Sequence, residues 1–501
     1  MVMKKSSVIL SLLILTLILG ACTPPSNSNG TPGTVNAISS TITRSTPQIT
    51  QTPTPAQPGQ TPSLTITTTA PPLTQRTQYI LSAELDYARR TLTITENVRY
   101  TNHSSSTLSD LELMVEANQE SGVFQLVSIS WADGSPIQNA VLTGERLTFP
   151  LPKGLNPGAT VEIRLAYGLN LPSNRGVLSF GSRQVNLSGW YPYIPPYIVG
   201  KGWLIHPPGS VGEYQVYELA DFNVNFILKN APANLVVAAS AANDAIAGGY
   251  HYIQTGARNF TLSLSTDYIQ FSEQSGETLV TAYVFKGDET AGHASLDTTT
   301  RALMIYSSLF GPYTHNTLSV VEADFADGME EDGLYFLGSE YFKAYAGSPA
   351  CYLVALSAHE TAHQWWYAMI GNDQAQEPWL DEALATYSER LFYEQEYPDL
   401  VDWWWQTRVQ AYAPQGWVDS TIYDFKAFRP YVNAVYLREA TFLEKLRQAL
   451  GDKVFFAFLR GYFNSVQKEP QALSDAQQFW SILNQYTSLD LSELKSGYFS
   501  K

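Results

Sequence analysis

Three side chains in the middle of the chain have the types and spacing to hold a metal ion. His359, Glu360 and His363 form the pattern H-E-x-x-H. On an α-helix, residues four apart share a face, so both imidazoles reach one ion and Glu360 sits beside it. Two histidines do not complete a catalytic zinc site, which has three protein ligands and an open position. Glu382 follows His363 after 18 intervening residues and opens a second predicted helix, Glu382-Ala383-Leu384-Ala385-Thr386-Tyr387. A hairpin of two helices brings that carboxylate back to the imidazoles. A buried helix whose histidines merely pack would account for the pair, but not for a glutamate at that spacing.

The neighbouring residues extend the pattern. His363-Gln364-Trp365-Trp366 resembles H-Q-W-[FW], and Trp379-Leu380-Asp381-Glu382 resembles W-L-N-E with Asp381 in place of Asn. With the H-E-x-x-H spacing, these residues resemble the gluzincin zinc aminopeptidases, the group of membrane alanyl aminopeptidase and leukotriene-A hydrolase. The resemblance implies one Zn2+ ion held by His359, His363 and Glu382, with Glu360 as general base. Gly328-Met329-Glu330 resembles the family's G-A-M-E-N segment, with Gly328 for Ala and Glu331 for Asn. By that resemblance Glu330 grips the substrate's free α-amine, and the strand edge at Gly328 and Met329 pairs with the peptide backbone. Glu331 and Asp332 add two carboxylates, expected to change the preference for basic N-terminal residues. Tyr436-Leu437-Arg438-Glu439-Ala440 resembles Y-E-K-G-A, which implies that the Tyr436 hydroxyl stabilises the oxyanion. Tyr431 is a second candidate for that role. The implied substrates are peptides with a free N-terminus, shortened by one residue.

These residues need a scaffold. Residues 279–285 and 318–325 read as strands, and residues 298–310 as a helix closed by Gly311-Pro312. After Gly451-Asp452 the chain stays helical, and Ser474 with Gln477 reads as a capping box opening another helix. Only about 100 residues follow the catalytic core, room for one small domain. Large family members carry a long helical domain there, so a more open cleft is expected.

From residue 78 to 270 the texture is short strands. Leu92, Ile94, Val98 and Tyr100 alternate with Thr93, Thr95, Asn97 and Arg99, the period of a half-buried strand. Residues 111–115, 161–165 and 222–226 read likewise. Turn signals stand at Asn102-His103-Ser104, Asp133-Gly134, Lys153-Gly154 and Asn156-Pro157-Gly158. The fold class expected is therefore multidomain: an N-terminal all-β saddle or sandwich, then, by the resemblance, a thermolysin-like α+β zinc metallopeptidase domain with a short helical C-terminal region.

The start of the chain reads as an address. Lys4 and Lys5 precede a twelve-residue apolar run, and Leu19-Gly20-Ala21-Cys22 resembles a bacterial lipobox. Cys22 would carry lipid and hold the mature chain on the outer side of a membrane. Residues 23–77 are rich in Thr, Pro, Ser, Gln and Asn, with too little apolar surface to offset ordering entropy, and read as a spacer. The expected divisions are thus 1–22, 23–77, 78–270, 271–400 for the catalytic core and 401–501 for the helical remainder.

A net charge of −16 and a pI near 4.9, with no basic patch, exclude nucleic acid as a partner. The only cysteines are Cys22 and Cys351, so no internal disulfide is expected, and Cys351 reads as a buried core thiol. Two other readings stay open: a zinc endopeptidase or other small-substrate hydrolase with no free-amine requirement, and a non-catalytic surface binding protein with a structural metal. Glu360 argues against the second, because a structural site needs no general base.

Overall fold

A computed structural model describes residues 76–500. The signal-peptide reading, Cys22 and the spacer as far as residue 75 lie outside the described residues. Among the described residues no helix is long and apolar enough to cross a membrane.

The period-two patterns form the N-terminal lobe. Its largest sheet has seven strands: β1 (Thr77–Asp86), β2 (Thr91–Thr101), β3 (Phe124–Trp131), β4 (Thr160–Asn170), β5 (Ala220–Lys229), β6 (Asn243–Ile246) and β7 (Gly249–Ala257). The order across the sheet is β6-β7-β5-β1-β2-β4-β3. Only β1 and β5 run parallel; the other pairs are antiparallel. Along β2 the side chains of Leu92, Ile94, Val98 and Tyr100 are buried, as the alternation requires. A three-stranded sheet (Leu108–Met114, Val141–Thr143, Arg146–Leu155) and a four-stranded sheet (Leu178–Phe180, Val185–Leu187, Val236–Ala239, Leu262–Ser265) complete the lobe.

The next strand belongs to a different sheet. β8 (Tyr268–Ser275), β9 (Thr278–Phe285), β10 (Thr317–Ala323), β11 (Gly328–Glu331) and β12 (Leu334–Gly338) are ordered β8-β9-β10-β12-β11. β11 is an edge strand, antiparallel to β12. Helix α1 (Glu289–Leu309) packs on β8 and β9 and on two further helices, α2 (Tyr352–Ala362) and α3 (Trp379–Glu396). Of the C-terminal helices, α4 (Glu439–Leu450) packs on α3, and α5 (Asp452–Val466) packs on α1 and on α6 (Ala476–Tyr486).

Three expectations are corrected. Helix α1 begins nine residues before the expected start at 298. Its first turns carry small residues rather than an apolar period, and they serve close packing: a Cβ on Gly292 would come within 2.8 Å of Val284. Lys153-Gly154 is not a turn; the strand Arg146–Leu155 runs through it, and the glycine falls where the pairing with Leu108–Met114 changes register. Helix α6 is capped by Asp475, which accepts from the Gln478 amide at 2.8 Å, and not by Ser474.

One buried cation ties these parts together. Arg258, 3% exposed, follows β7 directly. Its guanidinium donates to five carbonyls: Tyr217 and Gln471 at 3.0 Å, Ala472 at 2.7 Å, Tyr367 at 2.8 Å and Ala368 at 3.1 Å. These belong to the β lobe, the segment after α2 and the segment before α6. Burial pulls its pKa down to about 10, with Asp332 opposing, so it stays charged at neutral pH. Arg258→Leu leaves buried carbonyls without donors and is expected to cost about 3 kcal/mol or more in urea unfolding. A loss below about 1 kcal/mol, inside the range of ordinary surface substitutions, would contradict this role.

Candidate metal centre

Helix α2 is buried from Leu353 through Ala362, its polar residues included. His359 sits in its last turn and His363 is the residue that closes it. Helix α3 packs against α2 and presents Glu382 from its first turn. The three donor atoms form a near-equilateral triangle. His359 Nε2 and His363 Nε2 are 3.1 Å apart, and Glu382 Oε2 lies 3.4 Å and 3.5 Å from them. A tetrahedral ion with bonds of about 2.0–2.2 Å separates its ligand atoms by about 3.3–3.6 Å; both glutamate distances fall in that range and the imidazole pair lies just below it, so the triangle is of a size for zinc. Glu382 Oε2 is buried and has no hydrogen-bond partner, as a metal ligand should.

The other ring nitrogens fix the tautomers. His363 Nδ1 lies 2.6 Å from Asp381 Oδ1, and His359 Nδ1 lies 3.0 Å from Glu389 Oε1. The His363 Nδ1–H donates to Asp381, while His359 Nδ1 faces Glu389 at ion-pair distance, which leaves each Nε2 lone pair turned to the ion. Glu389, fully buried, is itself held by a two-pronged Arg408 guanidinium at 2.8 and 2.9 Å and by Trp404 Nε1 at 2.9 Å. Among the described residues two other donor clusters are close enough to chelate: Glu330 with His363 and Asp381, and Glu213 with Glu330 and Glu382. In the first, Nδ1 is already occupied by its hydrogen bond to Asp381. The second has three carboxylates and no nitrogen, a poorer match to zinc.

Glu360 turns its carboxylate to the start of β11. A Cβ on Gly328 would come within 2.0 Å of Glu360 Oε1, so the glycine makes room for that carboxylate. Burial raises Glu360 to about 7, with both imidazoles opposing. On β11 the side chains alternate. Glu330 faces the metal triangle, where burial, then Glu213, push its pKa up. Met329 faces the other way, packed with Val321 and Phe336. Its expected part in substrate binding is therefore limited to its backbone.

Glu331 and Asp332 are also committed elsewhere. Glu331 accepts from Asn259, and Asp332 accepts from the Arg258 amide at 2.8 Å and pairs with His315 at 2.7 Å. They offer no extra charge to a substrate. Tyr436 lies in a π-helical turn, Val432–Arg438, its ring parallel to that of His359 with centroids 6.1 Å apart. Tyr431 stands edge-on to Tyr436 at 5.5 Å, fully buried, with an unpartnered hydroxyl.

Residues 294–498 match the Peptidase family M1 domain. Two rice proteins (Oryza sativa subsp. japonica) align with the chain. Aminopeptidase M1-B is 25% identical over 247 residues, 46% of this chain and 28% of that protein. Aminopeptidase M1-D is 23% identical over 252 residues, 47% and 28%. The chain therefore spans little more than a quarter of the length of these curated relatives. The fold is shared with an M1 zinc metallopeptidase from Deinococcus radiodurans, with a TM-score of 0.58 at 19% identity, over 84% of this chain and 92% of that one. It is shared equally with a mutant of that enzyme bound to a Tyr-Ser-Ala substrate, with a TM-score of 0.59 at 18% identity, over 85% and 93%.

The match to the Peptidase family M1 domain thus covers residues 294–498, the region that carries the metal triangle. The family implies one zinc ion, and His359, His363 and Glu382 are the donors that fit it.

Within the matched region and the β lobe, sequence reasoning missed three residues. Glu389 stands seven positions after Glu382 on α3, a spacing of two helical turns that could have signalled a shared face. Arg408 lies in a second π-helical turn, Trp405–Val409. Glu213 comes from an aperiodic loop of the β lobe, and no local pattern marks it. Gly212 before it has φ of +72°, and a Cβ there would come within 2.7 Å of Ile422 and 2.8 Å of the Tyr431 hydroxyl. Burial, then Glu382, raise Glu213 to about 8.

Glu389→Gln keeps the shape but removes the charge that orients His359. Zinc affinity is expected to fall about 10–100-fold in chelator competition. An unchanged affinity would show that Glu389 serves packing alone.

Proposed function

We propose that this chain is a zinc aminopeptidase that removes single N-terminal residues from peptides outside the cell membrane. The observation that carries this reading is the pair of carboxylates, Glu213 and Glu330, beside the metal triangle and within 4.8 Å of Glu382. Such a cluster without nitrogen donors suits an ammonium group. Beside the metal triangle, it would receive the free N-terminus of a peptide whose first carbonyl lies at the ion. The Tyr-Ser-Ala substrate of the solved relative supports a peptide substrate here.

When bound, Zn2+ supplies a Lewis acid that polarises the scissile carbonyl and makes water a better nucleophile. The chain's own residues do the rest. Glu330 and Glu213 hold the α-ammonium, and the free edge of β11 at Gly328 and Met329 is available to pair with the substrate backbone. Glu360 takes a proton from the attacking water as its oxygen bonds to the carbonyl carbon. As the C–N bond breaks, Glu360 returns that proton to the leaving amine. The Tyr436 hydroxyl donates to the carbonyl oxygen as negative charge builds there. Leu19-Gly20-Ala21-Cys22 supports a mature chain tethered to the membrane through lipid on Cys22.

Paired aminoacyl and N-acetyl-aminoacyl fluorogenic substrates test this proposal, with and without a chelator. Chelator-sensitive cleavage of the free-amine member alone is expected. Equal cleavage of both would replace the aminopeptidase with a zinc hydrolase indifferent to the amine. Glu360→Gln is expected to retain one zinc per chain and lose about 10²–10⁴-fold in turnover. A zinc-loaded variant with wild-type turnover would remove Glu360 from the mechanism.

A further inference from the structure

The turn between α2 and α3 carries a polar side chain that the mechanism above does not use. Gln374 is 5% exposed. Its Nε2 donates to Glu330 Oε1 at 3.1 Å and to Asp381 Oδ2 at 2.7 Å. Asp381 accepts from His363 Nδ1 through its other oxygen. A single primary amide thus uses both of its N–H groups to join two carboxylates. One faces the amine site, and the other orients a metal-binding imidazole.

The turn holding Gln374 is pinned from several sides. Gly371–Asn372 pairs with Leu473–Ser474 as a short parallel ladder. Asn372 Nδ2 donates to the Glu377 carbonyl at 2.9 Å. Asp373 lies 2.9 Å from His206 Nε2, a residue of the β lobe. Both the N–H pair and its carboxylate acceptors are therefore fixed before any substrate arrives, the condition under which a hydrogen bond can set geometry rather than follow it.

The chemistry of the position selects an amide. A lysine would neutralise Glu330 and occupy the place of the substrate's ammonium. A glutamate would add charge and offer no N–H. An aliphatic side chain would leave Glu330 and Asp381 free to turn away from one another. Only a neutral double donor restrains both carboxylates and leaves the negative charge of Glu330 for the ligand.

Resting on the aminopeptidase reading, we infer that Gln374 is a positioning residue of the amine site, holding Glu330 in the orientation that receives the substrate's α-ammonium and locking it to the Asp381–His363 pair. The amine site and the metal site then share one hydrogen-bonded frame, so that the N-terminus is measured from the same fixed point as the scissile carbonyl.

Calorimetric titration tests this on the zinc-loaded Glu360→Gln chain, with Ala-Ala and N-acetyl-Ala-Ala as the ligands. The parent is expected to prefer the free amine. Adding Gln374→Leu, or Gln374→Glu with its unchanged shape, is expected to weaken the free-amine dipeptide about 10-fold or more and to leave the acetylated one unmoved. On a Glu330→Ala background neither change should weaken binding further, because the residue acts through Glu330. Zinc content and melting temperature, recorded for each variant, separate lost positioning from lost folding. A folded, zinc-loaded Gln374→Glu chain with the parent's preference would overturn the inference, as would a full additional loss on Glu330→Ala. A parent with no preference would overturn the aminopeptidase reading itself, and this inference with it.

Discussion

The structure depends on crowding carboxylates around two imidazoles in a space largely closed to water. Glu213, Glu330, Glu360, Asp381, Glu382 and Glu389 all approach His359 or His363 or one another there. Each pays a desolvation cost as an anion, and burial is the first cause acting on every one of them. The resolution differs by position. Glu382 stays ionised, held down to about 2 because the two imidazoles outweigh its burial. Glu389 is kept low chiefly by Arg408 and His359. For Glu213 and Glu330 the pull of His363 does not offset burial and the neighbouring carboxylates, and both are pushed upward, a charge deficit that a metal ion and an ammonium ligand would fill.

Holding that arrangement takes residues far apart in sequence. Two π-helical turns supply Arg408 and Tyr436, consistent with the tendency of such turns to aim functional side chains. Arg258 clamps the chain just beyond His363, and the Ala368 amide donates back to the His363 carbonyl at 2.9 Å. The β lobe therefore contributes twice: Glu213 reaches the site directly, and Arg258 braces the segment that follows the second imidazole.

The metal triangle was legible because it rests on local periodicity. Four-residue spacing puts His359 and His363 on one face whatever surrounds them, and a helix hairpin returns Glu382. The strands of the β lobe were legible for the same reason, through period-two burial in residues such as Ile94 and Val98. What was not legible is what tertiary structure decides. Glu213 enters from a loop whose path is set by Gly212 and the ring of Tyr431. Glu389 looks in sequence like an ordinary exposed helix glutamate, and only Arg408 and Trp404 bury it. The acidic run at Glu330 to Asp332 reads as uniform, yet strand alternation sends Glu330 to the site and Glu331 into a structural bond with Asn259. The same alternation turns the Met329 side chain away and leaves its backbone on the strand edge, the part the motif implies for substrate.

The central claim is that a single ion sits in the triangle of His359, His363 and Glu382, leaving Glu213 and Glu330 free for an amine. Anomalous diffraction at the zinc edge, from crystals of the zinc-loaded protein, tests it most directly. The account predicts one peak about 2.0–2.2 Å from His359 Nε2, His363 Nε2 and a Glu382 oxygen. A peak enclosed by Glu213, Glu330 and Glu382, or none near the two imidazoles, would contradict it.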